Sequence, residues 1–461
     1  MPGTFFGLEI ARRGLSTHRT AMDITGHNVA NANTPGYTRQ EAVIAATDPY
    51  ANPTLGSRLL PGQLGTGVEA TMIRRIKNEY LDVQARDSIS SREYWQVQEE
   101  IFGRIEAVFP EPVASGIAST LTRFFNTWHD LNNTPQDPGV KAAVAETGGE
   151  LATMMREAYQ QLEDISGSIL KVGSDGNVTG GQLKDQVDAV NEILRQIREL
   201  TESIKRVYAQ GNQPNDLLDR RDLLLDRLAE YGPVSVTYLT DGGKPTGEIA
   251  LTFFGVDVRA ADVTVGLKLD GAQSSLLQIG GKKVPLTGYP GKAGSLAGLE
   301  ETRLRIAGYM ESFNKLSEAL RDAVNEALEQ EFFTPLSSLK DGNFAVKSDI
   351  LSNPSTIKGE RALYVARLAT IGQADLDGAT FGEYFHALLA DIGARSGSAS
   401  NMAGTHRAVA EQVESLRQSV SGVNLDEELS RLIQYQYGYQ ASARVLATID
   451  EMLDYLINRT G

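Results

Sequence analysis

Residues 8–32 read LEIARRG LSTHRTA MDITGHN VANA, and a large apolar side chain recurs every seven positions: Leu8, Leu15, Met22 and Val29. Ala11, His18, Thr25 and Ala32 follow each of them three positions later. Side chains at these spacings share one face of a helix, so the run predicts one long amphipathic helix with an a/d seam. The helix should end at Asn31-Ala32-Asn33-Thr34-Pro35-Gly36-Tyr37, where Pro35 and Gly36 suit the two central positions of a type II turn. The far end of the chain repeats the spacing with Leu425, Leu432, Tyr439, Leu446 and Leu453. Asn424 and Glu427 read as the N-cap and N3 of a capping box that starts this second helix. Neither stripe can bury itself, so the two terminal helices are expected to pack on each other or on neighbouring subunits.

Composition removes whole classes of function. A formal charge of −15 over 461 residues disfavours a sequence-independent grip on nucleic acid or an anionic membrane. The chain has no cysteine, which removes disulfides, thiolate metal sites and cysteine catalysis. No apolar run is long enough to span a bilayer, and Met1 to Gly14 lacks the apolar core of a secretory signal. A cytoplasmic protein fits these facts, and so does one exported without a cleaved signal.

Between the ends, helical periodicity predicts helices over about 78–108, 115–132, 138–170, 181–209, 215–231 and 296–330, with Asn215 as a cap. Gly67 to Ile73 reads as a strand in an extended connector with a hairpin. After Pro233 the pattern turns to alternation, at Val234 to Tyr238, Ile249 to Phe253 and Val263 to Leu269, with a turn at Asp241-Gly242-Gly243. The expected fold is mainly α: an elongated multi-domain protein with long terminal helices in a bundle and a small inserted β domain. The expected division is 1–37 with 422–461 as terminal coiled-coil-like helices, 38–232 with 296–421 as a helical rod domain, and 233–295 as a β-rich outer insertion.

Candidate chemistry is sparse. The five histidines form no zinc-binding pair, and His18 and His406 lie on apolar stripes that suit packing. Asp216, Asp219 and Asp222 share a helix face, where pairing with Arg220, Arg221 and Arg227 on a solvated surface explains them better than a cation. Residues 373–384 carry Asp375, Asp377 and Gly378 at EF-hand positions but lack the carboxylates at positions 1 and 12. No nucleotide-binding loop or nucleophile elbow occurs. No cofactor, metal or catalytic residue is expected. Tyr435, Tyr437, Tyr439 and Tyr455 give the last helix an aromatic side that reads as a subunit interface.

The wording of three regions adds to this. Asn28 to Gln40, reading NVANANTPGYTRQ, resembles the N-terminal signature of flagellar rod, hook and hook-associated proteins. Ser421 to Glu428 is similar to the matching C-terminal run of the FlgK family, as are Phe125 to Leu131 with Pro135-Gln136-Asp137, and Pro214 to Asp222. The resemblance implies an extracellular structural protein at the hook–filament junction of the bacterial flagellum, assembling through its terminal helices. It implies contacts with copies of itself, the hook protein and hook-associated protein 3, and an export chaperone on the C-terminal helix. The assembly interface is then expected at Leu8, Leu15, Met22, Val29, Leu425, Leu432, Tyr439, Leu446 and Leu453, and the signature turn at Asn31, Asn33, Pro35, Gly36 and Tyr37. A hook or distal-rod protein is the nearer alternative. An enzyme or adhesin carried on the flagellum is the more distant one.

Overall fold

The computed structural model describes residues 5–49, 65–110, 116–267, 275–289, 291, 293–335 and 338–458. The N-terminal helix α1 (Phe6–Ala30) leads into a hairpin of β1 (Gln40–Ala46) and β2 (Val68–Arg75). Helices α2 (Glu79–Val108), α3 (Ile117–Asn133) and α4 (Pro138–Ile169) follow, then a small β3 (Lys171–Val172)/β4 (Val178–Gly180) pair. After α5 (Gln182–Ala209) and α6 (Asn215–Tyr231) come β5 (Val234–Asp241), β6 (Lys244–Phe253), β7 (Val256–Asp257), β8 (Val263–Leu267), β9 (Ser275–Ile279) and β10 (Lys282–Pro285). The rest is helical: α7 (Gly294–Leu328), short α8 (Ser348–Ser352) and α9 (Ala362–Arg367), then α10 (Phe381–Ser421) and α11 (Leu425–Asn458). The fold is mainly α, as the periodicity predicts.

Local chemistry explains most boundaries. Asn78 caps α2 by accepting from the N–H groups of Tyr80 and Leu81, and Asp137 caps α4 ahead of Pro138 at its first turn. Thr380 and Glu383 form the reciprocal capping box of α10. At α11, Asn424 does accept from the N–H groups of Asp426 and Glu427. The carboxylate of Glu427 does not complete the box, because it pairs with Arg39 and Arg431. Nor does Asn215 cap α6. It is the first helical residue, and its side-chain amide donates to Gln40 and to the carbonyl of Ile73.

The core is one continuous apolar cluster. Trp128, Phe124 and Phe125 of α3 meet Phe332, Phe333 and Phe381, with Trp128 edge-on to Phe332 at 5.3 Å between ring centres, and Phe385 continues the cluster against Phe109 and Phe313. The β segment belongs to the same cluster. Its strands make two three-stranded antiparallel sheets, ordered β5-β6-β7 and β10-β9-β8, and Ile249, Leu251, Phe253 and Leu277 join Leu183, Val187 and Leu194 of α5 in it. The β5–β6 turn is the two-residue Gly242-Gly243 loop, with φ of +55° and +80° as a type I′ hairpin demands. Helices α2 and α10 run antiparallel: Trp95 stacks on His406, Ser400 bonds Glu99, and Ser396 bonds Glu106.

The terminal helices α1 and α11 pack on each other, also antiparallel, and small residues close the seam. Gly7 faces Ile449, Gly14 faces Ser442, Gly438 faces His18 and Asn28 meets Glu428, all in one register. A Cβ on Gly438 would lie 2.6 Å from the His18 ring, and one on Gly14 would lie 2.9 Å from the Ser442 hydroxyl. The glycine that costs α11 helix propensity is therefore the one that lets His18 in. Replacing Gly438 with leucine should destabilise the α1–α11 pair by about 1–3 kcal/mol through overpacking. A shift of the α1–α11 thermal transition to lower temperature by circular dichroism, with the core melt unchanged, is the expected readout.

Candidate functional site: the joint between the terminal helices and the core

The segment Asn28 to Gln40 is where four elements meet. Thr34 and Tyr37 close the turn with a 3.1 Å backbone hydrogen bond, and Gly36 takes the left-handed φ of +76° that its third position needs. The turn returns the chain beside the end of α1 and delivers β1 to Asn28. The Asn28 side chain is buried, and its amide is fully used. Its Nδ2 donates to the Gln40 carbonyl (2.8 Å) and to Glu428 Oε2 of α11 (2.9 Å). Its Oδ1 accepts from the Gln40 N–H (3.0 Å) and the Tyr37 hydroxyl (2.8 Å). With the Tyr37 proton committed to Asn28, the 3.0 Å contact between His27 Nδ1 and Tyr37 requires His27 to donate. Burial, then the carboxylates of Asp216 and Asp219, pushes the Tyr37 phenol well above its ordinary range, so it stays a donor.

The next residues fasten this knot outward. Arg39 donates from its backbone to the Ser421 carbonyl at the end of α10 (2.8 Å) and from its guanidinium to Glu427 at the start of α11 (2.8 Å). Thr38 N–H reaches Asp219 Oδ2 at 3.1 Å, and Gln40 Nε2 reaches Asp216 at 2.9 Å, both on α6. Arg75 at the end of β2 spans Asp219 (2.9 Å) and Asp222 (2.8 Å), while Lys77 pairs with Asp222 (3.0 Å) and Asp82 (3.1 Å). Tyr238 of β5 donates to the other oxygen of Asp222. One layer away, Asp226 bridges Arg86 of α2 and Arg417 of α10.

This overturns the solvated reading of the aspartate face of α6. Asp219 is buried and Asp222 mostly so, and their partners are Arg75 and Lys77 rather than the adjacent arginines, while Asp216 stays exposed. Spacing within α6 could not reveal partners about 145 positions earlier in the chain. Sequence reading placed the signature at Asn31, Asn33, Pro35, Gly36 and Tyr37, and the structure divides those roles. Asn31 caps the end of α1 through the His27 carbonyl, and Tyr37 enters the knot. Pro35 and Gly36 shape an exposed turn, and Asn33 is exposed without a side-chain hydrogen bond among the described residues. Asn28, Gln40, Arg75 and Glu428, which carry the joint together with Asp219 and Asp222, had no individual role in the sequence reading.

The terminal rows also divide. Leu432, Tyr439, Leu446 and Leu453 are half-buried, in step with Tyr435, Ser442 and Ile449 on the side of α11 that meets α1. Leu425 is exposed. On α1 the row that touches α11 is Gly7, Gly14, His18 and Asn28, whereas Leu8, Leu15, Met22 and Val29 flank it half-exposed. Tight antiparallel approach selects the small row over the large one. The tyrosines split in the same way: Tyr435 lies 6.4 Å from the His18 ring, while Tyr437 and Tyr455 face out.

Known proteins carry the same parts in the same order. Residues 102–334 match the family model described as the flagellar hook-associated protein FlgK helical domain. The chain belongs to the FlgK family of flagellar hook-associated proteins, structural components of the bacterial flagellum. Residues 8–38 match the flagella basal body rod protein family, and residues 417–459 the C-terminal family of the flagellar basal body rod FlgEFG proteins. Those two matches cover α1 with the signature turn and α11 with the residues before it, the two sides of the joint. Flagellar hook-associated protein 1 of Bacillus subtilis (strain 168) is 28% identical over 517 aligned residues, spanning 100% of this chain and 99% of that one. The protein of the same description from Escherichia coli (strain K12) is 24% identical, over 97% of this chain and 98% of its own. The solved flagellar hook junction protein FlgK from Burkholderia pseudomallei aligns with 54% of this chain and 44% of its own, at a TM-score of 0.40 and 20% identity. No described helix of the FlgK-family chain is long and apolar enough to cross a membrane.

Two outcomes test the joint. Asn28→Ala strands the Gln40 N–H, the Tyr37 hydroxyl and buried Glu428, which should cost about 2–4 kcal/mol of α1–α11 docking. Native-state hydrogen exchange of α11 amides should register that loss. The second concerns acid. Burial alone would raise the Asp222 pKa, but Lys77 and then Arg75 outweigh it and hold the carboxyl well below its usual range. Its contribution is therefore complete above about pH 4 and is lost as pH falls from there towards the depressed folded value. Asp222→Asn should lower stability by about 3–5 kcal/mol at neutral pH and flatten the decline below about pH 4, measured by urea unfolding across pH.

Proposed function

We propose that the chain forms the junction between the flagellar hook and filament, outside the cell, and polymerises through the outward faces of its paired terminal helices. The observation that carries this reading is the side of α11 turned away from α1. Leu429, Ile433, Tyr437, Val445 and Met452 are each about half or more exposed there, on a helix already satisfied on its other side. Leu8, Leu15, Met22 and Val29, half-buried on α1, border that surface. A monomer gains nothing from such a face, whereas a neighbour burying it gains roughly 1.5–3 kcal/mol per large side chain.

On this reading the pair is the building block of a tube, and the joint sets the angle at which the helical core leaves it. The neighbours are copies of the chain, the hook protein below and hook-associated protein 3 above. Before export the same apolar face of α11 is a natural helix-in-groove ligand for a chaperone. The β strands lie on α5 and reach the joint through Tyr238 of β5, while their sequence does not enter the tube contacts.

Ile433→Asp places a carboxylate on the outward face, and Leu446→Asp places one on the inward side. The first should leave the unfolding free energy of the free monomer within about 0.5 kcal/mol of the parent. It should nevertheless abolish filament growth in a complemented deletion strain, with the variant and unpolymerised filament protein recovered from the medium. The second should lower the stability of the α1–α11 pair by several kcal/mol. Normal filaments with Ile433→Asp would refute the outward-face assignment.

A further inference from the structure

A cavity of about 510 Å³ opens beside the ion cluster of the joint, between the end of β2, the end of α5, the start of α6 and the β5–β6 hairpin. Four cations line it, Arg74, Arg75, Lys77 and Arg221, against the carboxylates of Glu79 and Glu248. Glu248 is already held by Lys205 at 2.7 Å. Asp219 and Asp222 neutralise Arg75 and Lys77 from behind. Arg221 is left over. Its side chain is buried, and its Nη1 donates to the Gly247 carbonyl at 2.7 Å. Its Nε is buried without a partner, and it forms no ion pair among the described residues. The guanidinium carbon sits 5.8 Å from the centre of the Tyr238 ring, which fixes its plane. Arg75 uses only Nη1 for both of its aspartates.

A buried guanidinium with an unpartnered Nε and no direct ion pair, reached by the Asp222 carboxylate only from a distance, is an expensive arrangement, and its planar fork matches an oxyanion in particular. We propose that this cavity binds a small oxyanion of the phosphate or carboxylate type, held by Arg221 and Arg75 with Arg74 at the exposed rim. The bound anion supplies the negative charge that Arg221 lacks. Because the cavity wall includes β2, α6 and β5, the anion also ties the hairpin of the joint to the β strands. The inference stands apart from the tube reading, since it uses residues that the outward helix faces do not.

The test is isothermal titration calorimetry of inorganic phosphate, and separately of acetate, into the full-length monomer at ionic strength held constant with sodium chloride. Saturable one-site binding is expected in the parent chain, weakened roughly tenfold or more in Arg221→Met and severalfold in Arg74→Gln. Arg74 is mostly exposed and, among the described residues, pairs with Glu41 alone at the surface, so its variant keeps the fold even where Arg221→Met does not. Binding of phosphate alone assigns the cavity to free dianions. Equal binding of acetate assigns it to carboxylates, such as a side chain of a second copy. Absence of saturable binding for both anions, or affinity unchanged in Arg74→Gln, overturns the proposal.

Discussion

The side-chain amide of Asn28 is the point on which the architecture turns. It sits where a helix ends, a strand begins and a second helix arrives from the opposite terminus, and it bonds to the strand, to the second helix and to Tyr37 of the intervening turn. Two donors and two acceptors converge on one buried planar group, so α1, β1 and α11 cannot shift independently without stranding a polar atom. Aspartate or leucine could not satisfy the same set, since one lacks donors and the other lacks both.

Around that neutral centre lies a shell of charge. Arg39, Arg75, Lys77, Arg86 and Arg417 face Glu427, Asp219, Asp222, Asp82 and Asp226, and the pairs join elements far apart in the chain. Buried ion pairs add little net stability compared with apolar packing, but they penalise misregister strongly. That suits a joint whose task is to hold an angle between the terminal pair and the core. The apolar core itself lies elsewhere, around Trp128 and the phenylalanines of α3 and α7–α10.

Much of this was legible in the sequence, and the reasons for the remainder are physical. Helix boundaries were readable because caps and prolines are local signals: Asn78, Asp137 and Gly422 all stand where the helices start or stop. The joint was half legible. Pro35-Gly36 announces its turn by backbone preference, but Asn28 looks like any polar residue on a helix until Gln40 and Glu428 meet it. The choice between the Leu8 row and the Gly14 row was also hidden, because heptad spacing is shared by both. Only the closeness of Gly438 to His18 decides it. The β strands were recognised by their alternation, yet their merger with the helical core depends on Leu183, Val187 and Leu194, whose stripe names no partner.

The central claim is that Asn28 and Glu428 couple the two ends of the chain through the joint. A double-mutant cycle of Asn28→Ala and Glu428→Ala, read by hydrogen exchange of α1 and α11 amides in the full-length monomer, measures that coupling directly. A coupling energy of about 1–3 kcal/mol is predicted, because each single change already strands the other group. Additive effects within about 0.3–0.5 kcal/mol would mean that the two residues act independently and that the joint is not the link between the termini.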